Sequence, residues 1–157
     1  MYRKKKNRKD ILYILKNLRA EDKHEAIISR GENYIKECLN DLMKSKDYIS
    51  IAKRKSDNTP VCMGGVAKTT EKGVGVVWLL STPDIVNHQY YLLKNLKKEL
   101  EKIDKEYWLT YNMIYKENTL AKKWLTKFGY KFENIFGLKI PKDFEFFYRV
   151  KEMRGLK

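Results

Sequence analysis

The period of the apolar positions changes repeatedly along this chain, and each change marks an element. From Asp10 onward, Ile11, Leu12, Ile14, Leu15 and Leu18 recur at helical steps and predict a first helix. A second helical region is predicted over roughly Glu21 to Lys44, with Tyr34, Ile35, Cys38, Leu39 and Leu42 on one face and a break near Arg30-Gly31. After Lys46 the period drops to two. Asp47-Tyr48-Ile49-Ser50-Ile51-Ala52 alternates as a half-buried strand, and Ser56-Asp57-Asn58-Thr59-Pro60 has turn chemistry. Val61 to Ala67 reads as a second strand, in which Gly64-Gly65 suggests a bulge or a close backbone approach. Thr69 to Gly73 closes a hairpin into a third strand, so three antiparallel strands in a row are expected.

That third strand opens the stretch around which the chain is organised, Val74 to Leu100. Val74, Val76, Val77, Trp78, Leu79 and Leu80 form an apolar run of the length of a buried central strand. Ser81-Thr82-Pro83 follows, with hydroxyls suited to an N-cap and proline suited to the first helical position. Ile85, Gln89, Leu92, Leu93, Leu96, Leu100 and Ile103 then repeat at three- and four-residue steps, which predicts a long helix with one face on a sheet. A strand that delivers its carboxyl end to a helix N-terminus is a natural anion site, because free amides and the helix dipole point there. Tyr107 to Met113 is predicted as the next strand. Asn118 should cap a helix whose buried face is Leu120, Ala121, Trp124, Leu125 and Phe128, and Gly129 stands where a helix end favours glycine. Extended segments are expected near Tyr130 to Phe136 and over Phe144 to Val150.

Composition narrows the function classes. The 157 residues are 43% hydrophobic, enough for one domain with an ordinary core, 1–157. The net charge of +14 favours polyanionic surroundings or an acidic ligand. Arg3, Lys4, Lys5, Lys6, Arg8 and Lys9 crowd the first nine residues without an acid; they read either as a phosphate-binding arm or as a solvated edge strand leading into a basic helix start. The lone cysteines Cys38 and Cys62 form no disulfide framework or zinc spacing and suit a reducing compartment. No apolar run is long enough to span a membrane, and no signal-peptide core follows the basic start, so a soluble protein with no membrane partner is expected. His24 and His88 are isolated from any metal-ligand spacing, Cys62 has no neighbouring base to activate it, and Glu71 reads as a charged hairpin tip. Tyr107, Trp108, Tyr111 and Tyr115, interleaved with Lys105 and Lys116, either stack bases or divide between the two faces of a strand. Lys97, Lys98, Lys102 and Lys105 alternate with acids as on a solvated helix face.

The element order is strand, two helices, three-strand meander, helix, strand, helix and one or two strands. Together with Asn118-x-x-Ala121-x-x-Trp124-Leu125-x-x-Phe128-Gly129-Tyr130, it resembles the GCN5-related N-acetyltransferase (GNAT) superfamily. The resemblance implies a single α+β domain in three layers, with a central mixed, mostly antiparallel sheet flanked by helices. It also implies acetyl-CoA wedged between the Val76–Leu80 strand and the Trp108–Asn112 strand, with Val77, Leu79, Leu80, Ser81, Thr82 and Asn118 in the cofactor-binding positions.

Several residues depart from the family pattern. The family's pyrophosphate turn is glycine-rich, whereas here Ser81-Thr82-Pro83-Asp84 offers a proline without an amide and a carboxylate beside the expected phosphates. The position of the family's general-acid tyrosine falls at Leu125, and no Asp, Glu or His lies on Val74 to Leu80, so no catalytic residue is assigned. In size, in Trp78-Leu79-Leu80-Ser81-Thr82 and in the lost glycine turn, the chain is similar to small GNAT-like internal virion proteins of short-tailed, autographivirus-type bacteriophages. That resemblance implies a non-catalytic assembly protein without a cofactor, in the virion interior or host cytoplasm. Its expected partners are portal or internal-core proteins and packaged DNA. The alternatives are an acyl-CoA-dependent N-acetyltransferase and a nucleic-acid-binding module that uses the basic arm.

Overall fold

A computed structural model of the protein describes residues 6–151. Helix α1 spans Arg8–Lys16 and begins two residues before the predicted start, because the Asn7 side chain caps it by accepting from the amides of Lys9 and Asp10 at 3.0 and 3.3 Å. Helices α2 (Ala20–Arg30) and α3 (Tyr34–Lys44) are separated at Gly31, whose φ of +79° ends α2 where the sequence placed a break. The strand expected before α1 falls largely outside the described residues, and Lys6 and Asn7, which are described, are not in a strand.

The strands are β1 (Ile49–Lys53), β2 (Pro60–Lys68), β3 (Val74–Ser81), β4 (Leu109–Tyr115) and β5 (Phe144–Val150), which lie in one sheet in chain order. Strands β1 and β2 run antiparallel, β3 and β4 parallel, and β4 and β5 antiparallel, so the sheet is mixed. The parallel step requires a long crossover. A short 3-10 helix, Pro83–His88, and helix α4, Gln89–Glu106, supply it. Helix α5 covers Thr119–Lys127.

Contacts divide the chain into two units. The first comprises the residues up to Gly65 together with Trp78–Asn95. Its core brings together Ile11, Ile14 and Leu15 of α1, Cys38 and Leu39 of α3, Ile49 and Ile51 of β1, and Met63 of β2, with Trp78 and Leu80 packed against them. Each such side chain fully buried is worth about 1.5–3 kcal/mol. Gly64 and Gly65 serve close approach: a Cβ would lie 2.9 Å from the Trp78 carbonyl oxygen at Gly64, and 2.5 Å from that of Tyr48 at Gly65. The β1–β2 register runs through both glycines, and its irregularity lies instead between Ala52 and Lys53.

The second unit comprises Val66–Val77 and the residues from Leu96 onward. Leu100, Ile114, Tyr130 and Phe147 form its core, with Val77, Ile103, Ala121 and Leu125 against it. Asn118 caps α5 by accepting from the Ala121 amide. The helix closes with two carboxyl-terminal bonds, Gly129 N to Thr126 O at 3.1 Å and Tyr130 N to Leu125 O at 3.0 Å, around Gly129 at φ +85°. Arg149 donates twice to Asp104, which ties β5 to α4. The predicted extended segment at 130–136 reduces to one bridge, Lys131 to Tyr148. Its backbone turns away at Gly137, and the Asn134 side chain bonds both backbone groups of Leu138.

Candidate functional site

Strand β3 is third of five, yet Val76, Val77, Trp78, Leu79 and Leu80 are all only half-buried. On β2, by contrast, Pro60 to Met63 are fully buried. The sequence expectation of a buried β3 is therefore corrected. Its register with β4 pairs Val74, Gly75 and Val76 with Leu109, Thr110 and Tyr111. At the next position the main-chain ladder gives way to a side chain: Asn112 Nδ2 donates to the Val77 carbonyl at 2.8 Å, and Asn112 Oδ1 accepts from the Met113 amide at 2.7 Å. A side-chain amide so placed satisfies a strand carbonyl without continuing the strand pairing.

At the carboxyl end of β3 the Ser81 amide and both Thr82 donors are committed. Ser81 N donates to Asp22 Oδ2 at 3.1 Å, and Thr82 N and Thr82 Oγ1 both donate to the Val61 carbonyl at 2.9 Å. Pro83 has no N–H to give, and Ile85 N donates to Thr82 O at 3.1 Å. The Ser81 carbonyl accepts from Arg19 N at 2.9 Å, and Arg19 Nε pairs with Asp22 Oδ2 at 2.9 Å. Arg19, Asp22, Ser81 and Thr82 are 8%, 2%, 0% and 4% exposed, so this is a buried knot between the start of α2 and the end of β3. Burial pushes the Asp22 carboxyl above its ordinary range, against the opposing pull of the Arg19 hydrogen bond.

This overturns the expected hydroxyl cap. Thr82 does stand at the N-cap, but its side chain makes no capping bond, and the helix opens as a 3-10 segment. Asp84 belongs to a network of its own: Asn87 Nδ2 lies 3.0 Å away, His88 Nε2 3.1 Å and Arg54 Nη1 3.5 Å. The Asn87 hydrogen bond, partly opposed by burial and reinforced by His88 and Arg54, holds this carboxyl below the ordinary range.

Val77, Leu79 and Leu80 lie on β3, while Asn118 is 2% exposed at the head of α5. Arg3, Lys4 and Lys5 lie outside the described residues, Lys6 is half-buried, and Arg8 and Lys9 are exposed on the first turn of α1. Leu125 packs on the second core. Tyr130, five residues on, has its hydroxyl 2.8 Å from Thr110 Oγ1 and is buried, which pushes its pKa up; it is not exposed as a general acid. Cys62 is buried and its thiol is pushed up to about 12, so it stays protonated. No group of His, Cys, Asp and Glu among the described residues can hold a metal ion, and no helix among them is long and apolar enough to cross a membrane.

The aromatic strand divides between contacts of the core and of the surface. Tyr107 is buried against Gly75, and Trp108 lies half-exposed over Gly73. Tyr111 stacks on Phe146 and meets Phe136 edge-on. Sequence reasoning missed Asp22 and Asn112. Their partners stand 59 and 35 positions away, and no local pattern announces either bond.

No family model matches the chain, and neither does any curated protein. Solved structures do. A GNAT-family acetyltransferase from Bacillus anthracis superposes with a TM-score of 0.67 at 18% identity, covering 96% of each chain. An N-acetyltransferase from Thermoplasma acidophilum, solved in complex with coenzyme A, gives 0.60 at 16%, covering 95% of this chain and 98% of that one. The ribosomal-protein-S18-alanine N-acetyltransferase from Escherichia coli gives 0.63 at 11%, covering 99% and 96%. At these identities the likeness establishes the fold: the chain has the GNAT fold, an α+β domain with a five-stranded mixed sheet flanked by helices.

Proposed function

We propose that this chain is a GNAT-type N-acyltransferase that takes an acyl thioester along the carboxyl half of β3. The observation that carries this reading is the state of β3. A central strand rich in Val, Trp and Leu would be fully buried in a filled core, but Val76 to Leu80 are half-buried and the β4 register gives way to the Asn112 side chain. In the resembled family the pantetheine arm of acetyl-CoA pairs with this strand. In the transfer, the acceptor amine attacks the thioester carbonyl, a C–N bond forms, the C–S bond breaks, and the proton lost by nitrogen ends on the departing sulfur. With Leu125 at the family's general-acid position, that proton reaches sulfur through solvent or the substrate itself.

Isothermal titration of the protein with acetyl-CoA, followed by an amine panel assayed for acyl transfer, tests this reading. Saturable binding and transfer to at least one amine are expected. Absence of both would leave the second reading, a non-catalytic bacteriophage assembly protein of the virion interior or host cytoplasm that contacts portal or internal-core proteins and packaged DNA. The observation favouring that reading is the committed turn, in which the Ser81 and Thr82 amides serve Asp22 and Val61.

A further inference from the structure

We infer that the donor is recognised by its pantetheine arm and not by a nucleotide diphosphate, and that it arrives on an acidic carrier protein. This inference rests on the acyltransferase reading and names its substrate class. A diphosphate held at a strand-to-helix turn needs several backbone amides free to donate, and close backbone approach. Here Ser81 N and Thr82 N are bonded inside the protein, Pro83 has none, and Ile85 N closes the 3-10 turn. The Asp22 carboxylate lies directly beneath Ser81 N, and Asp84 adds a second carboxylate on the turn. Arg54, the nearby guanidinium, is already engaged by Asp57 and Asp84. A diphosphate at this turn would therefore face the Asp84 carboxylate and find no free amide at Ser81, Thr82 or Ile85.

The surface just beyond the turn suits a protein instead. Val86 is 53% exposed and Tyr90 85%. Lys94 follows Tyr90 by four residues on the same face of α4 and is exposed, and Lys55 stands over the Tyr91 ring at 5.4 Å. Exposed apolar groups edged by lysine complement an acidic surface, and the chain's net charge of +14 steers such a partner toward it. A carrier protein presents pantetheine through a single phosphodiester and supplies the negative charge from its own surface. The transfer stays balanced with the carrier's thiol as leaving group: a C–N bond forms, a C–S bond breaks, and one proton passes from nitrogen to sulfur.

The test is titration of the full chain with three probes, namely coenzyme A, pantetheine and an acidic carrier protein bearing the phosphopantetheine arm. Coenzyme A and pantetheine are expected to bind within about threefold of each other. The carrier should bind at least tenfold more tightly at low salt, with the advantage collapsing at high salt as the charges are screened. The double variant Tyr90→Ala, Lys94→Glu changes only exposed positions and should erase the carrier's advantage while leaving pantetheine binding unchanged. Coenzyme A binding tenfold or more tightly than pantetheine would overturn the inference and leave the acyltransferase reading intact. A carrier no tighter than pantetheine, or a double variant without effect, would likewise overturn the inference alone. Failure of all three probes to bind would remove both.

Discussion

The turns ahead of α5 and ahead of the Pro83–His88 helix both carry polar side chains, and they use them in opposite ways. Before α5, the Asn118 side chain accepts from the Ala121 amide three residues on, a bond that caps the helix it begins. After β3, the Ser81 amide and the Thr82 amide and hydroxyl go to Asp22 and Val61, which are 59 and 21 positions distant, and the following helix is left without a side-chain cap. Hydroxyl and amide side chains cap by default, but a buried acceptor close at hand competes with the local amides and wins where burial makes an unpaired group costly. One turn serves its own helix, while the amides of the other are bonded to α2 and β2.

The contrast breaks first at Asp22. Asp22→Ala leaves Arg19 buried without its carboxylate and Ser81 N without its acceptor, and is expected to cost about 3–5 kcal/mol in urea denaturation. Asn118→Ala should cost only about 1–2 kcal/mol, the worth of a local cap. Equal losses at the two sites would abolish the distinction between them. Thr82→Val removes one bond to Val61 and keeps the other through Thr82 N, so a loss of about 1 kcal/mol is expected.

The smallest effect lies in the pH dependence and separates the two carboxylates of the β3 turn by sign. The folded-state pKa of Asp84 lies below 3.8, so its ionised form contributes stability above that pH, and this is lost as pH falls through the folded value. The stability difference between wild type and Asp84→Asn should therefore shrink on acidification below 3.8. Asp22 is raised above 3.8, so its ionisation removes stability as pH rises from 3.8 toward its folded value. The difference between wild type and Asp22→Asn should move in the opposite direction, and thermal melts across an acid pH series read both. Parallel pH trends would contradict the opposite shifts of the two carboxylates.

Much of the fold was legible because it rests on short-range pattern. The break at Gly31, the Asn118 cap, the Gly129 closure and the β1 and β2 strands follow from periodicity and from residues that act within a few positions. The Gly64-Gly65 pair was read as close approach or bulge, and Trp78 and Tyr48 decide for close approach. The candidate site was legible only in outline. Val77, Leu79, Leu80, Ser81 and Thr82 were located on the right strand and turn, but the roles of Ser81 and Thr82 depended on Asp22 and Val61, which the chain carries far away. Asn112 escaped notice for the same reason: an asparagine in a strand looks ordinary until its amide is seen on Val77.

The sequence by itself determined the order of helices and strands and the loss of the glycine turn, because periodicity, proline and glycine act on the backbone locally. It also determined the strong positive charge. Only the tertiary structure decided that β3 stays half-buried and that the turn beyond it is bonded inward. Burial and hydrogen-bond partnership depend on which distant groups arrive at a position, and a buried donor must be satisfied by whichever acceptor the fold brings there.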